Sequence, residues 1–389
     1  MAQSGSRFDA AVIGGGIVGT ALAYYLAKEG MRRVVLLERA ELGSGTTAGS
    51  FGGVRQQFTT AIEIEMSRRG LDFWKSAESR FDSPCPFSED GYLLLTGQEQ
   101  IRTEFAAAAE LQRAMGLGDV HLLEPGEITK VVPWLSTEGL VAGCWTPGDG
   151  HVTPGDGVVA LARAARSLGA QIREHFPVEG LRRAGDGWAI AGPEPVEAAQ
   201  VVLATGYWTP ALLGPLGVDI DIRLNTQYLA VTEPVMEDQR VPMTIDVDTG
   251  FCLERHGPCL LLSVLGRTPM PASHEELMYE FTRRAALRAP SLLQVRVAKN
   301  LTASPATGGD GMPYVGEVEP GLWTACFVGH GAMHGPPVAE LVARAMAGRP
   351  DETVDMTVWD PRREPAPVNS VWWRRPPPTP DYIGGPVLV

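Results

Sequence analysis

Cysteine is scarce in this chain. The five present (Cys85, Cys144, Cys252, Cys259 and Cys326) are an odd number with no C-x-x-C pair, which excludes a disulfide framework and points to a reducing compartment, the cytoplasm. Positive charge is in deficit too. Lys and Arg number 33 against 46 Asp and Glu, a net charge of -13, so neither nucleic acid nor an anionic membrane is an expected partner. No internal repeat, no Cys/His zinc spacing and no G-x-S-x-G elbow is present, which removes repeat scaffolds, zinc modules and one class of hydrolase. One uncharged stretch, Ala10 to Ala27, approaches the length of a membrane span. Gly14, Gly15, Gly16 and Gly19 inside it, and Asp9 just ahead of it, argue against a span or a secretory signal.

What is present is ordinary for a globular enzyme: 389 residues, 44% apolar and 20% charged, enough for two packed domains and a large cofactor. Phe8 to Ile13 reads as a strand, Ile17 to Glu29 as a helix and Arg33 to Glu38 as a second strand, one βαβ unit. Ala61 to Phe81 has one apolar face (Ile64, Leu71, Trp74) and reads as a long helix; Gly91 to Thr96 reads as a strand and Glu99 to Met115 as a helix. A helix over Gly157 to Leu168, a strand over Gln171 to His175 and a very apolar strand over Val201 to Thr205 follow. Arg223 to Thr232 and Thr244 to Leu265 suggest longer antiparallel strands broken by turns. The pattern closes with strand Leu322 to Val328, a glycine turn and helix Val338 to Ala347. Beyond Asp360 the chain is rich in Pro and Trp, and a surface strap is expected.

Gly14-x-Gly16-x-x-Gly19 lies between the first strand and the first helix. Gly14 permits the tight turn, Gly16 lets backbone approach a pyrophosphate at the helix N-terminus, and Gly19 lets helix and strand close together. Glu38 ends the second strand, where a carboxylate accepts ribose hydroxyls and repels a 2′-phosphate. The spacing alone leaves FAD and NAD both open.

Further stretches narrow the choice: Gly45-Thr-Thr-Ala-Gly-Ser-Phe-Gly-Gly-Val-Arg55, Asp149-Gly-His-Val-Thr-Pro154, Ala204-Thr-Gly-Tyr-Trp208, Asp310-Gly-Met-Pro-Tyr-Val-Gly316 and Gly329-His-Gly-Ala-Met-His-Gly335. With Gly14 to Arg39 they resemble, in this order, the D-amino-acid oxidase and sarcosine oxidase family of FAD-dependent oxidoreductases, which includes glycine oxidase-like members. The resemblance implies an α/β fold: a Rossmann-type FAD-binding domain (1–85, 140–220 and 300–360) with an interleaved substrate domain (86–139 and 221–299) on an antiparallel or mixed sheet, and a tail over 361–389.

It also implies site residues. Gly14, Gly15, Gly16, Ile17, Val18 and Gly19 form the phosphate turn, with Glu38 and Arg39 at the adenosine. Gly45, Thr46 and Thr47 lie beside the pyrophosphate and ribityl chain, and Gly52, Gly53, Val54 and Arg55 pass the isoalloxazine. Val178 meets the adenine through its backbone, and Thr205, Gly206 and Trp208 flank the cofactor. Gly329, Gly331, Ala332, Met333 and His334 lie against the flavin pyrimidine. The expected chemistry is hydride transfer to flavin N5 from a carbon bearing nitrogen in a small amine or amino-acid-like substrate, with hydrolysis of the imine; oxygen or another acceptor then takes the electrons. A 2-hydroxy-acid dehydrogenase on the same fold and a non-catalytic flavin-binding assembly factor are the alternatives.

Departures from the family pattern are informative. Thr47, Ala48 and Thr302 stand where some relatives carry a histidine or cysteine bonded to flavin, so the FAD is expected to be non-covalent. Arg55 matches a carboxylate-binding position, but Ser304 and Met333 stand where a further arginine and lysine occur, which leaves Arg223, Arg255 or Arg267 as other anchors. Leu262 or a neighbour takes the place of a lysine linked to oxygen activation, so oxidase and dehydrogenase both remain open. His256 and His334 are candidates for substrate contact or proton handling. His151 and His175 read as structural, and Cys326 as core.

Overall fold

Phe8 to Ile13 is buried except at Asp9, and so uninterrupted an apolar run suits the middle of a sheet covered on both faces. The computed structural model describes residues 7–264 and 274–364. The first sheet has the order Tyr314–Glu319, Leu322–Cys326, Val196–Leu203, Phe8–Ile13, Val34–Leu37 and Gln171–Arg173, with hairpin Gly180–Ala184 and Gly187–Ala191 attached to Val196–Leu203. Phe8–Ile13 runs parallel to both neighbours, which leaves its C-terminal end and the Gly14 turn at a crevice between strands. Helix Ile17–Lys28 packs between helices Pro154–Ser167 and Gly331–Met346.

The second sheet runs Val297–Ala303, Gln227–Thr232, Cys259–Val264, Phe251–His256, Met243–Asp246, Tyr92–Thr96, Ala142–Thr146 and His121–Leu123. Helix His274–Arg288 covers one face. Met243–Asp246 pairs parallel with Tyr92–Thr96, unlike the antiparallel pattern expected here: a parallel pair needs a crossover, and the intervening chain passes through the first sheet. The sequence boundaries at 140 and 300 place Ala142–Thr146 and most of Val297–Ala303 with the cofactor part, but both strands bond within this second sheet. The one strand expected over 223–232 is two. Ile222–Leu224 pairs with Ala306–Gly308, and Gln227–Thr232 joins the second sheet, with the break at Asn225, whose N–H donates to Pro305 O.

The largest departure from the sequence reading concerns the last long helix. It starts at Gly331, seven residues before the expected Val338, and contains Pro336 and Pro337. Proline has no N–H, so the carbonyls of Ala332 and Met333 lose their intrahelical donors. The helix Ala61–Phe81 compensates: Trp74 Nε1 donates to Ala332 O at 2.8 Å, and Gly70 lies against Met333 O, where an added Cβ would stand 1.9 Å away. Gly70→Ala should therefore force the two helices apart and destabilise the protein by about 2–4 kcal/mol. A thermal melt unchanged from wild type would show that the helices do not meet this closely.

Of the expected tail, residues up to Glu364 are described, and Arg363 docks it: both its Nε and Nη2 donate to Asp310 at 2.9 Å. The Trp and Pro runs beyond lie outside the described residues, as does Arg267. Among the described residues no helix is long and apolar enough to cross a membrane.

Candidate active site

At the end of Phe8–Ile13 the chain turns through Gly14, whose φ of 104° favours glycine; an added Cβ would stand 2.5 Å from Ala204 O. Gly19, one turn into the helix, faces the same turn, and a Cβ there would fall 1.8 Å from Gly14 O. Gly16, the residue before the helix, meets only Thr47 Oγ1, at 3.0 Å. That hydroxyl accepts the Ile17 N–H at 3.1 Å, and Thr46 Oγ1 donates to Ser304 O at 2.9 Å. The Glu38 carboxylate accepts from the backbone N–H groups of Gly15 (2.6 Å) and Ala40 (2.8 Å), which fixes its orientation and leaves lone pairs for further donors.

A cavity of about 1370 Å³ runs from this turn to the second sheet, larger than the roughly 300–1,000 Å³ of a small-ligand pocket. Glu38, Arg39 and Val178 wall one part of it; the Arg39 guanidinium lies 4.7 Å over the Trp208 ring. Gly14, Gly15, Gly16, Ile17 and Val18 line it, with Gly45, Thr46, Thr47, Thr205, Gly206 and Trp208. Gly52, Gly53, Arg55, Gly329, Gly331, Ala332 and Met333 line it as well, facing Tyr92, Met243 and Ile245 of the second sheet. Four singled-out residues are placed elsewhere. Gly19 is in the helix–turn contact, Val54 points into the core, His334 is buried behind the wall, and His256 is exposed at a strand end. His256 lies off the site because it falls on the last residue of its strand, past the sheet's covered part.

Arg55 is 3% exposed and enclosed by aromatic rings, Phe58 at 4.6 Å and Tyr92 at 5.4 Å. Its Nη2 is 3.2 Å from His330 Nε2. Guanidinium can only donate, so His330 accepts through Nε2 and carries its proton on Nδ1; burial first, then Arg55, holds this ring well below the usual histidine range. Burial and Arg55 likewise push His334 down to about 3, and its Nε2 lies 2.6 Å from Ser67 Oγ. The next residue, Gln56, is clamped by Asp149: Oδ2 accepts the backbone N–H and Oδ1 the side-chain amide, both at 2.9 Å. Burial raises Asp149 to about 7, with the Gln56 bonds opposing the rise.

His330, Tyr92 and Asp149 are site residues that composition and periodicity do not reveal. The one local sign for His330 is its position in the glycine-rich turn, where it takes a left-handed φ of 55°. The other candidate anchors differ in availability. Arg255 spends its guanidinium on the carbonyls of Val235, Met236, Pro258 and Gln239, whereas Arg223 lines the cavity beside Asp221. Leu262 packs under helix His274–Arg288; its neighbours Leu261 and Ser263, on the opposite face, are not basic.

These residues fit an FAD. The glycine turn leaves backbone open where side chains would intrude, a helix N-terminus points at the same space, and a fixed carboxylate stands one strand away. The corrected start of helix Gly331–Met346 puts a second helix N-terminus, with Gly331, Ala332 and Met333, on the cavity wall.

Comparison with known proteins agrees with this geometry. A model of the DAO family, FAD dependent oxidoreductase, matches residues 9–345. The mitochondrial sarcosine dehydrogenase of Homo sapiens is 29% identical over 387 residues, 92% of this chain and 41% of that protein. Glycine oxidase from Geobacillus kaustophilus is 28% identical, with 80% and 84% covered. The crystal structure of L-proline dehydrogenase from P. horikoshii superposes with a TM-score of 0.84 at 25% identity, covering 91% of this chain and 97% of that one. The chain spans less than half the length of the mitochondrial dehydrogenases it matches.

Proposed function

The chain belongs to the FAD dependent oxidoreductase (DAO) family, and on that premise we propose that it holds FAD non-covalently and oxidises a C–N bond in a small amine or amino-acid-like substrate. The observation that carries the reading is the buried Arg55 guanidinium, set in one continuous cavity with the dinucleotide turn. A cation there orients a substrate carboxylate by charge-assisted hydrogen bonds. Relatives named for sarcosine, dimethylglycine, glycine and proline support the substrate class.

Bound FAD supplies the acceptor for the hydride that leaves the carbon next to nitrogen, and the resulting imine hydrolyses in water. The protein's part is placement. Asp149 fixes the backbone beside Arg55, neutral His330 accepts from the guanidinium, and Tyr92, Met243 and Ile245 keep water from the apolar end of the cavity. The N–H groups opening helix Gly331–Met346 favour negative charge in front of them. Thr47 and Ala48 offer no imidazole or thiol for a covalent link. The five cysteines are free, which suits the cytoplasm. Electrons pass to oxygen or another acceptor.

The test is an anaerobic screen of sarcosine, dimethylglycine, glycine, L-proline and 2-hydroxy acids for bleaching of the flavin band. Bleaching by an amine, with release of ammonia or a smaller amine, is the expected result. Bleaching by hydroxy acids alone would make the protein a hydroxy-acid dehydrogenase, and no bleaching at all would leave the flavin structural. Acid precipitation of the same sample should leave the colour in the supernatant; a yellow pellet would contradict non-covalent binding.

A further inference from the structure

The sheet face that looks onto the cavity carries one group that its surroundings do not explain. Met243 lies beside Tyr92, and the register that pairs Thr244 with Leu253 and Ile245 with Cys252 brings Glu254 beside Met243 on the next strand. The three side chains form a row on one face, about 4.8 Å from strand to strand. Tyr92 and Met243 line the cavity. Glu254 is 2% exposed, and its Oε2 is sealed without a hydrogen-bond partner. Leu261 lies across from it.

Its titratable neighbours are Tyr92 from the next element and Cys252 on its own strand. Arg55 lies beyond Tyr92 and hydrogen-bonds to it, and Cys252 is within reach of Ser263 O at 3.7 Å. His256, two residues along the same face, is exposed and interacts with the buried His151. Lys299, at the far edge of the sheet, is exposed. No cation is set against the carboxyl, and burial holds it well above the usual carboxylate range. An apolar residue of similar size would serve packing better, since a buried carboxyl without a partner costs stability.

We infer that Glu254 is the proton acceptor for the substrate nitrogen. This rests on the amine reading above. With the substrate carboxylate at Arg55, its ammonium faces the Tyr92–Met243–Glu254 row. One N–H bond breaks and one O–H bond forms on Glu254, freeing the nitrogen lone pair; no electrons are transferred to or from the protein in this step. Because the resting carboxyl is already protonated, forming the complex from an ammonium releases one proton to solvent. The ion pair and the neutral acid–amine pair differ only in the position of the remaining proton.

Glutamine mimics a neutral carboxyl but cannot take a proton, so Glu254→Gln separates this role from packing. The probe is whichever amine bleaches the wild type in the screen above, followed by anaerobic rapid mixing from neutral to alkaline pH. The variant should lose the pH-dependent limb of flavin reduction and slow by about 10²-fold. A wild-type rate and pH profile in the variant would overturn the inference. In infrared difference spectra the wild type should show a protonated-carboxyl band, absent from Glu254→Gln, that changes when the amine binds; a band indifferent to amine would also overturn it. Glu254→Leu should melt at or above the wild-type temperature. A much lower melt, with Glu254→Gln kinetically normal, would make the residue structural. If no amine bleaches the wild type, it is the functional reading that fails.

Discussion

Gly16→Val should yield a folded protein that purifies without colour. An added Cβ at Gly16 meets a single atom, Thr47 Oγ1, at 3.0 Å, and a threonine side chain can rotate away. The fold therefore survives. The isopropyl group, however, stands at the N-terminus of helix Ile17–Lys28, where backbone has to approach a pyrophosphate, and it displaces the hydroxyl that accepts the Ile17 N–H. A loss of about 10³-fold in FAD affinity, roughly 4 kcal/mol, is expected. Gly19→Ala serves as the contrast: its Cβ would meet the Gly14 carbonyl at 1.8 Å, backbone against backbone, so that variant should fail to fold. The ratio of flavin to protein absorbance, read beside a thermal melt, checks both. A yellow, fully loaded Gly16→Val protein would remove the turn from the cofactor site.

Arg55→Ala should retain FAD and lose substrate binding. In the enclosed end of the cavity a charge-assisted contact to a carboxylate is worth about 2–5 kcal/mol, so half-saturation of flavin reduction should rise by roughly 30- to 5,000-fold. Arg55 also packs on Phe58 and Tyr92 and reaches His330, so part of any effect comes from misplacing those side chains. Arg55→Lys keeps the charge but not the fork, and an intermediate half-saturation is expected from it. Rapid-reaction measurements on the FAD-loaded fraction separate binding from loss of flavin. If half-saturation is unchanged and stability alone falls, Arg55 is structural.

The cofactor end was readable in the chain because its signals are local. A strand, three glycines at fixed spacing, a helix and Glu38 lie within about thirty residues, and each has its own steric or electrostatic reason. The start of helix Gly331–Met346 was not readable, because Pro336 and Pro337 look like breakers until Trp74 and Gly70, far away in sequence, are seen to accommodate the open carbonyls. His330 and Asp149 owe their roles to Arg55 and Gln56, which only tertiary structure brings to them. The stretch Phe251–His256 shows the limit of alternation: Glu254 and His256 occupy the same face, yet one is buried and the other exposed, because the strand leaves the covered part of the sheet between them.

The first sheet places Phe8–Ile13 between Val34–Leu37 and Val196–Leu203, with Leu322–Cys326 beyond. In a growing chain the Gly14 turn therefore exists long before its walls. At about 5–20 residues per second, roughly 15–65 s pass between synthesis of that turn and synthesis of Gly329 to Met333. During that interval the nascent polypeptide carries an apolar central strand with one edge unpaired, a target for chaperones and for aggregation. The flavin cannot shield it, since half of its binding surface has not left the ribosome. Cofactor supply should raise yield only after release, by mass action on completed chains, whereas slower or cooler expression acts on the exposed interval itself.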